Sequence, residues 1–159
     1  MSMENLDLID VFLQPGDYFV GDAGFRVRTL LGSCVSITLW SPLRRIGAMS
    51  HFLLPSRPEG AEPDSRYGDD ALSMMLAELA ELGVRPGECE AKIFGGGDMF
   101  PGQRRPGIHV GEKNGTAARG MLAARGIAVV SESLFGNGHR QILFEIASGD
   151  VWARQVEKR

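Results

Sequence analysis

Residues 29–55 read TLLGSCVSITLWSPLRRIGAMSHFLLP, and this stretch decides the fold. From Cys34 to Trp40 apolar and polar residues alternate, which is typical of a strand with one buried face. Residues 41–44 are Ser-Pro-Leu-Arg and have turn-forming types, and a second strand-like segment runs from Ile46 to Phe52. The pattern predicts a β-hairpin.

The register of this hairpin determines which side chains face one another. A four-residue loop at 41–44 pairs Leu39 with Ile46 and gathers the apolar side chains on one face, whereas a slip by one residue mixes the faces. In the favoured register Cys34 lies directly opposite His51, and directly opposed residues have Cβ atoms roughly 4.5–5.5 Å apart. The sequence therefore predicts a thiol beside an imidazole.

A thiol beside an imidazole is suited to acyl transfer. An imidazolium at His51 is expected to lower the pKa of the Cys34 thiol, so that a thiolate nucleophile exists at neutral pH. Because Gly32 and Ser33 precede the strand, backbone N–H groups there can stabilise an oxyanion. The alternative interpretation is that Cys34 is a small core residue and His51 a hydrogen-bonded residue at a strand end, since buried free cysteines are common.

Outside the hairpin, two helices and further strands are predicted. Leucine and methionine at spacings of three and four predict a helix over 69–82, and Asn114 is expected to cap a second helix that ends at Gly126. Regular alternation of strand and helix is missing, so the predicted fold is an α/β fold of the α+β type. It is a mixed layered sandwich of eight or nine β-strands with two main helices, and it is not Rossmann-like. The predicted strands are 18–21, 26–31, 34–40, 46–52, 90–94, 127–131, 141–147 and 151–156.

The composition is that of a globular protein. Of 159 residues, 43% are hydrophobic and 23% charged, so a single domain over 1–159 is expected. A net charge of -3 argues against nucleic-acid binding. The longest uncharged stretch, 29–43, is too short to span a membrane, and the acidic N-terminal residues are unlike a secretory signal. Two cysteines in unlike surroundings favour a cytoplasmic protein over a disulfide framework.

Five separated motifs carry a resemblance to a known family. In order along the chain they are LLGSCVSITLW, IGAMSHFLLP, RYGDDAL, AKIFGGGDMF and HVGEKN. In order and spacing the sequence resembles the CheD family of chemoreceptor glutamine deamidases, over about residues 13–153. The resemblance implies hydrolysis of glutamine side-chain amides in the cytoplasmic helices of bacterial chemoreceptors, giving glutamates that can then be methylated.

The resemblance also implies the catalytic residues and the partners. By position in the motifs, the family's cysteine, histidine and threonine correspond to Cys34, His51 and Thr29. They imply a Cys nucleophile, an acyl-thioester intermediate, and a threonine hydroxyl that orients the histidine. The implied partners are methyl-accepting chemoreceptor helices and, where the organism has one, a CheC-type chemotaxis phosphatase, without membrane insertion.

Other chemistry-bearing residues have weaker signals. Ser33, Gly95 and Gly96 are candidates for a substrate-binding loop, although glycines after a strand more often let backbone segments approach closely. The glycine run lacks the Lys-Ser/Thr pair of a phosphate-binding loop. Cys89 stands between two glutamates, which raise a thiol pKa and make it a poor nucleophile. No metal or other cofactor is expected, because the Cys and His residues are not grouped.

Two other functions stay open at this stage. One is a binding module for receptor or phosphatase helices that has weak catalytic activity or none, and the other is a different cysteine-dependent amidohydrolase. Arginines in predicted loops either form a solvated surface or flank the site and attract acidic receptor helices. These arginines are Arg44, Arg45, Arg57, Arg66, Arg104 and Arg105.

Overall fold

The computed structural model describes residues 7–102 and 109–156. These ranges hold nine strands and two α-helices, neither of which is long and apolar enough to cross a bilayer. The helices are α1 Gly68–Glu81 and α2 Val110–Ala124. The strands are β1 Ile9–Phe12, β2 Tyr18–Gly21, β3 Phe25–Leu31, β4 Val35–Ser41, β5 Ile46–Ser50, β6 Glu90–Gly95, β7 Ala128–Leu134, β8 His139–Glu145 and β9 Val151–Val156.

The strands form two mixed sheets. One has four strands in the order β1-β3-β8-β9, and the other has five in the order β2-β5-β4-β6-β7. The pairs β1–β3 and β6–β7 are parallel, and the other pairs are antiparallel. With two helices, this architecture confirms the predicted mixed α+β sandwich.

Alternation along β4 divides the interior into two cores. Val35, Ile37 and Leu39 are fully buried on the face that packs against the helices, which confirms the predicted apolar face. The opposite face of the five-stranded sheet meets the four-stranded sheet across a second core that includes Met49 and Phe144. The order of layers is therefore helices, five-stranded sheet, four-stranded sheet.

The predicted start of the second helix is wrong. Helix α2 begins at Val110 with His109 as its N-cap, so Asn114 lies in its second turn and is 0% exposed. Asparagine is a common cap because its short side chain bonds nearby backbone groups. Here the Asn114 amide instead contacts the Ser33 and Leu53 carbonyl oxygens of other segments. The helix therefore begins four residues before Asn114, at Val110.

The predicted hairpin register is also wrong, by two residues. The structure pairs Leu39 with Ala48 and Ser41 with Ile46, so the four-residue loop is 42–45. Arg45 has a φ of 52° and cannot continue a strand, which places it in the loop. A shift of two residues keeps every side chain on its original face, so hydrophobic alternation cannot distinguish the two registers.

Two glycine-to-alanine substitutions test the backbone packing. Gly95 has a φ of 111°, and a Cβ there would overlap the Cys34 carbonyl oxygen. Gly95→Ala should lower the free energy of unfolding by more than about 1 kcal/mol. Gly120 is exposed within α2 with nothing within 4 Å of an added Cβ, so Gly120→Ala should raise it by about 0.5–1 kcal/mol. Urea denaturation measures both, and equal effects would contradict the close approach at Gly95.

Candidate active site

Three segments bring Thr29, Cys34 and His51 to one end of the space between the sheets. Thr29 is on the inner face of β3 and is 3% exposed. Cys34 directly precedes β4 and is partly buried against the core between the sheets. His51 directly follows β5 and is 2% exposed.

A hydrogen-bond chain fixes the tautomer of His51. The Thr29 hydroxyl donates to the Leu13 carbonyl oxygen at 2.9 Å, and its oxygen lies 2.7 Å from Nδ1 of His51. A hydroxyl has a single proton, and here that proton is already given to Leu13. His51 must therefore donate from Nδ1–H, which leaves Nε2 of the neutral ring as an unprotonated base.

The observed register changes the geometry of the predicted Cys–His pair. Val35 forms a bridge with Phe52, so Ser36, and not Cys34, is opposite His51. Cys34 lies two residues from Ser36 and is the diagonal neighbour of His51 on the same face. In a regular ladder such neighbours are about 7–8 Å apart, which is within reach of an aromatic ring.

Burial keeps both groups uncharged. It raises the pKa of the Cys34 thiol, and it lowers the pKa of His51 to about 4 despite the opposing charge of Asp17. The expectation that an imidazolium lowers the thiol pKa is therefore wrong for this state. At neutral pH the pair consists of a thiol and a neutral imidazole.

Every carbonyl of the segment Gly32-Ser33-Cys34 accepts a hydrogen bond. The donors, in order, are the Gly97 N–H at 2.9 Å, the Asn114 side-chain amide at 3.0 Å and the Gly96 N–H at 2.9 Å. The N–H groups of the same three residues have no acceptor within the described ranges. The segment thus has a fixed backbone with free donors beside the Cys34 side chain.

The candidate substrate-binding residues occupy different positions. Gly95 is buried behind Cys34, and a Cβ at Gly96 would lie 2.6 Å from the Gly111 carbonyl oxygen. Both observations agree with the interpretation that the glycines permit close backbone approach. Ser33 and Val110 line a cavity of about 150 Å³, and Gly96 lines an adjoining cleft of about 460 Å³. Substrate binding by Ser33, Gly95 and Gly96 remains a prediction.

A buried arginine next to this site is not among the residues predicted from the sequence. Arg140 on β8 is 3% exposed and donates to the carbonyl oxygens of Gly95 and Phe135. Burial lowers its pKa, and no ion pair within the described ranges includes it. Arg140 therefore holds the glycine segment behind Cys34 through backbone contacts. In the strand sequence HRQILFE, alternation places Arg140 on the same face as Ile142 and Phe144, and this is the sequence signal of its burial.

The second cysteine is a poor nucleophile. Cys89 is 6% exposed, and its pKa is raised to about 11, first by burial and second by the charge of Glu88. The predicted rise of the Cys89 pKa is confirmed, with burial as the larger cause and the charge of Glu88 as the smaller one.

Over residues 7–102 and 109–156, no three His, Cys, Asp or Glu side chains converge, so these residues offer no set of metal ligands.

The described loop arginines have local partners. Arg44, Arg57 and Arg66 form ion pairs with neighbouring carboxylates, and Arg45 donates to the Ala147 carbonyl oxygen. Arg44 and Arg45 also lie at the far end of β4 from Cys34. These contacts favour the solvated-surface interpretation over attraction of acidic helices. Arg104 and Arg105 lie outside the described residues.

Comparisons with known proteins point to one family. A family model described as CheD chemotactic sensory transduction matches residues 53–155. The chain is 60% identical over 152 residues to "Probable chemoreceptor glutamine deamidase CheD 2" of Albidiferax ferrireducens, with 93% of this chain and 88% of that protein covered. It is 44% identical over 154 residues to "Probable chemoreceptor glutamine deamidase CheD 3" of Dechloromonas aromatica, with 96% and 91% covered.

The neutral His51 predicts a specific loss of stability in acid. Its pKa is about 4 in the folded protein and near 6.5 when exposed, so between these values the unfolded chain binds more protons. The free energy of unfolding should fall as pH drops from 6.5 to 4, by on the order of 3 kcal/mol. Carboxyls with lowered pKa values, such as Asp10 at about 2, lose their contribution at lower pH.

Urea denaturation at several pH values measures this effect. His51→Gln should remove the slope between pH 6.5 and 4.5, whereas the matched control His139→Gln, at an exposed position, should keep it. A wild-type slope no steeper than that of His51→Gln would contradict a buried neutral His51.

Proposed function

Because this chain belongs to the CheD family of chemoreceptor glutamine deamidases, we propose that it hydrolyses glutamine side chains of bacterial chemoreceptors to glutamate with Cys34 as nucleophile. The observation that carries this proposal is the 2.7 Å contact between His51 Nδ1 and the Thr29 hydroxyl oxygen, because the hydroxyl proton is given to Leu13 and Nε2 is then left as a base. The diagonal relation of His51 and Cys34 on one sheet face supports it further.

The first step forms the thioester. Nε2 of His51 takes the thiol proton while the Cys34 sulfur attacks the carbonyl carbon of the substrate amide. Since both groups are neutral at rest, proton transfer accompanies the attack and does not precede it. The carbonyl oxygen becomes an oxyanion, and the proposed donors that stabilise it are the backbone N–H groups of Ser33 and Cys34, which have no acceptor within the described ranges.

The remaining steps release ammonia and restore the thiol. The His51 imidazolium protonates the amide nitrogen as its bond to carbon breaks, which gives ammonia and the Cys34 thioester. His51 then deprotonates a water that attacks the thioester, and the cysteine leaves and regains its proton. Throughout, Thr29 accepts the Nδ1–H bond and keeps the ring in one orientation. The sum is amide plus water to carboxylic acid plus ammonia.

The cavity beside Ser33 supports entry of an amide side chain at this point. Met99, Phe100 and Val110 give it apolar walls, and Gly97 and Gly111 contribute to its lining. Its volume of about 150 Å³ is enough to admit a small side chain.

The proposed partners are the cytoplasmic helices of chemoreceptors and, where the organism has one, a CheC-type phosphatase.

Two cysteine variants test the proposed nucleophile. Incubation with a chemoreceptor cytoplasmic fragment should add about one dalton per converted glutamine and release ammonia. Cys34→Ala should abolish both, whereas the matched control Cys89→Ala should keep both. Iodoacetamide should label Cys34 well before Cys89, whose pKa is about 11. Receptor binding by the wild type without any mass change would favour a binding module and contradict the proposal.

A pair of threonine variants tests the orienting hydrogen bond. Thr29→Val removes the acceptor for Nδ1–H, so His51 can rotate or change tautomer, and kcat should fall about 100-fold with little change in KM. Thr29→Ser keeps the hydroxyl and should retain most of the activity. Ammonia release measured over substrate concentration gives both constants. Equal kcat values for the two variants would show that the hydroxyl plays no part.

A further inference from the structure

Asn114 connects the segments that carry the nucleophile and the base. Its side-chain amide nitrogen donates to the Ser33 carbonyl oxygen at 3.0 Å and to the Leu53 carbonyl oxygen at 2.8 Å. Ser33 directly precedes Cys34, and Leu53 lies two residues after His51. Asn114 itself belongs to neither segment but to helix α2, where it is 0% exposed.

Peptide geometry extends the effect of this contact to the Cys34 N–H. The Ser33 carbonyl and the Cys34 N–H belong to one planar trans peptide unit and point in opposite directions. When Asn114 holds the carbonyl oxygen, it also fixes the direction of the N–H. That N–H has no acceptor within the described ranges, so it is oriented but remains free to donate.

We propose that Asn114 is a positioning residue that aims the Cys34 N–H at the oxyanion of the reaction. This inference rests on the proposed thioester mechanism. Asn114 acts through the Ser33–Cys34 peptide and does not touch the substrate, and its second hydrogen bond keeps the His51 segment in place relative to that peptide. A displacement of about 1 Å at such a donor is enough to cost about 100-fold in rate.

The chemistry of the side chain explains why asparagine is used. Nδ2 of the side chain donates both of these hydrogen bonds, and Oδ1 has no partner within the described ranges. Two donors on one short neutral group are therefore what the site uses. Aspartate has the same shape but presents a carboxylate to two carbonyl oxygens, and alanine leaves both oxygens without a donor.

The experiment compares deamidation with alkylation of Cys34 in Asn114→Ala and Asn114→Asp. Reaction with iodoacetamide needs the Cys34 sulfur but forms no oxyanion. In both variants kcat for deamidation should fall about 10- to 100-fold with KM almost unchanged, while the rate and pH dependence of alkylation stay as in the wild type. Thr38→Val, at a buried β4 residue that pairs with Met49 and Lys92, is the control and should change neither reaction.

A pH signature separates positioning from simple packing. A buried aspartate has a raised pKa, so Asn114→Asp should regain one donor as it protonates. The ratio of its kcat to that of the wild type should rise from pH 8 to pH 6, while the ratio for Asn114→Ala stays flat. Thermal unfolding checks that each variant is folded. If one is not, Asn114→Ser, which keeps a single donor, should give an intermediate kcat.

The outcomes distinguish this inference from the proposed function. Wild-type kcat in folded Asn114→Ala, or a parallel fall of alkylation and deamidation, overturns the positioning role alone. A wild-type protein that reacts normally with iodoacetamide but converts no glutamine overturns the proposed function, and the positioning role with it.

Discussion

The site depends on a single proton, that of the Thr29 hydroxyl. Its donation to the Leu13 carbonyl oxygen leaves the threonine oxygen able to accept only, and this decides which ring nitrogen of His51 carries hydrogen. Leu13 is held in turn by its N–H bond to the Arg28 carbonyl oxygen at 2.8 Å. The protonation pattern of the His51 ring thus depends on the attachment of Leu13, which directly follows β1 at the edge of the four-stranded sheet. β1 is short and largely exposed, yet the buried residue that follows it determines which ring nitrogen of His51 carries hydrogen.

Close backbone contact is the second requirement, and it explains part of the glycine content. Gly95 and Gly96 pack against the Cys34 segment and against Gly111, at separations that leave no room for a Cβ. This contact lets N–H groups of the glycine run bond the carbonyls around Cys34. The 21 glycines of the chain are therefore not only turn residues. Several of them allow the Cys34 segment, the Gly95–Gly97 segment and helix α2 to pack closely against one another.

Sequence patterns predict the fold well and the exact pairing poorly. Alternation in residues 34–40 identifies the apolar face of β4, although both faces are buried, and the spacing of leucine and methionine locates α1 to within a residue at each end. Alternation has a period of two, so it cannot exclude a register shifted by two, and the left-handed Arg45 that excludes it leaves no signal in the sequence. The sequence identifies Asn114 as a residue type that often caps helices. Only the structure shows that its side chain instead donates to the Ser33 and Leu53 carbonyl oxygens. The pKa values of Cys34 and His51 follow from burial, which residue types alone do not give.

The uncharged thiol has a consequence for the lifetime of the protein in a cell. Peroxide and other oxidants attack the thiolate form of cysteine, and successive oxidation beyond the sulfenic acid is irreversible. A thiol whose pKa is raised by burial presents little thiolate to such oxidants. The burial that raises the pKa of the Cys34 thiol thereby protects its sulfur from oxidative damage.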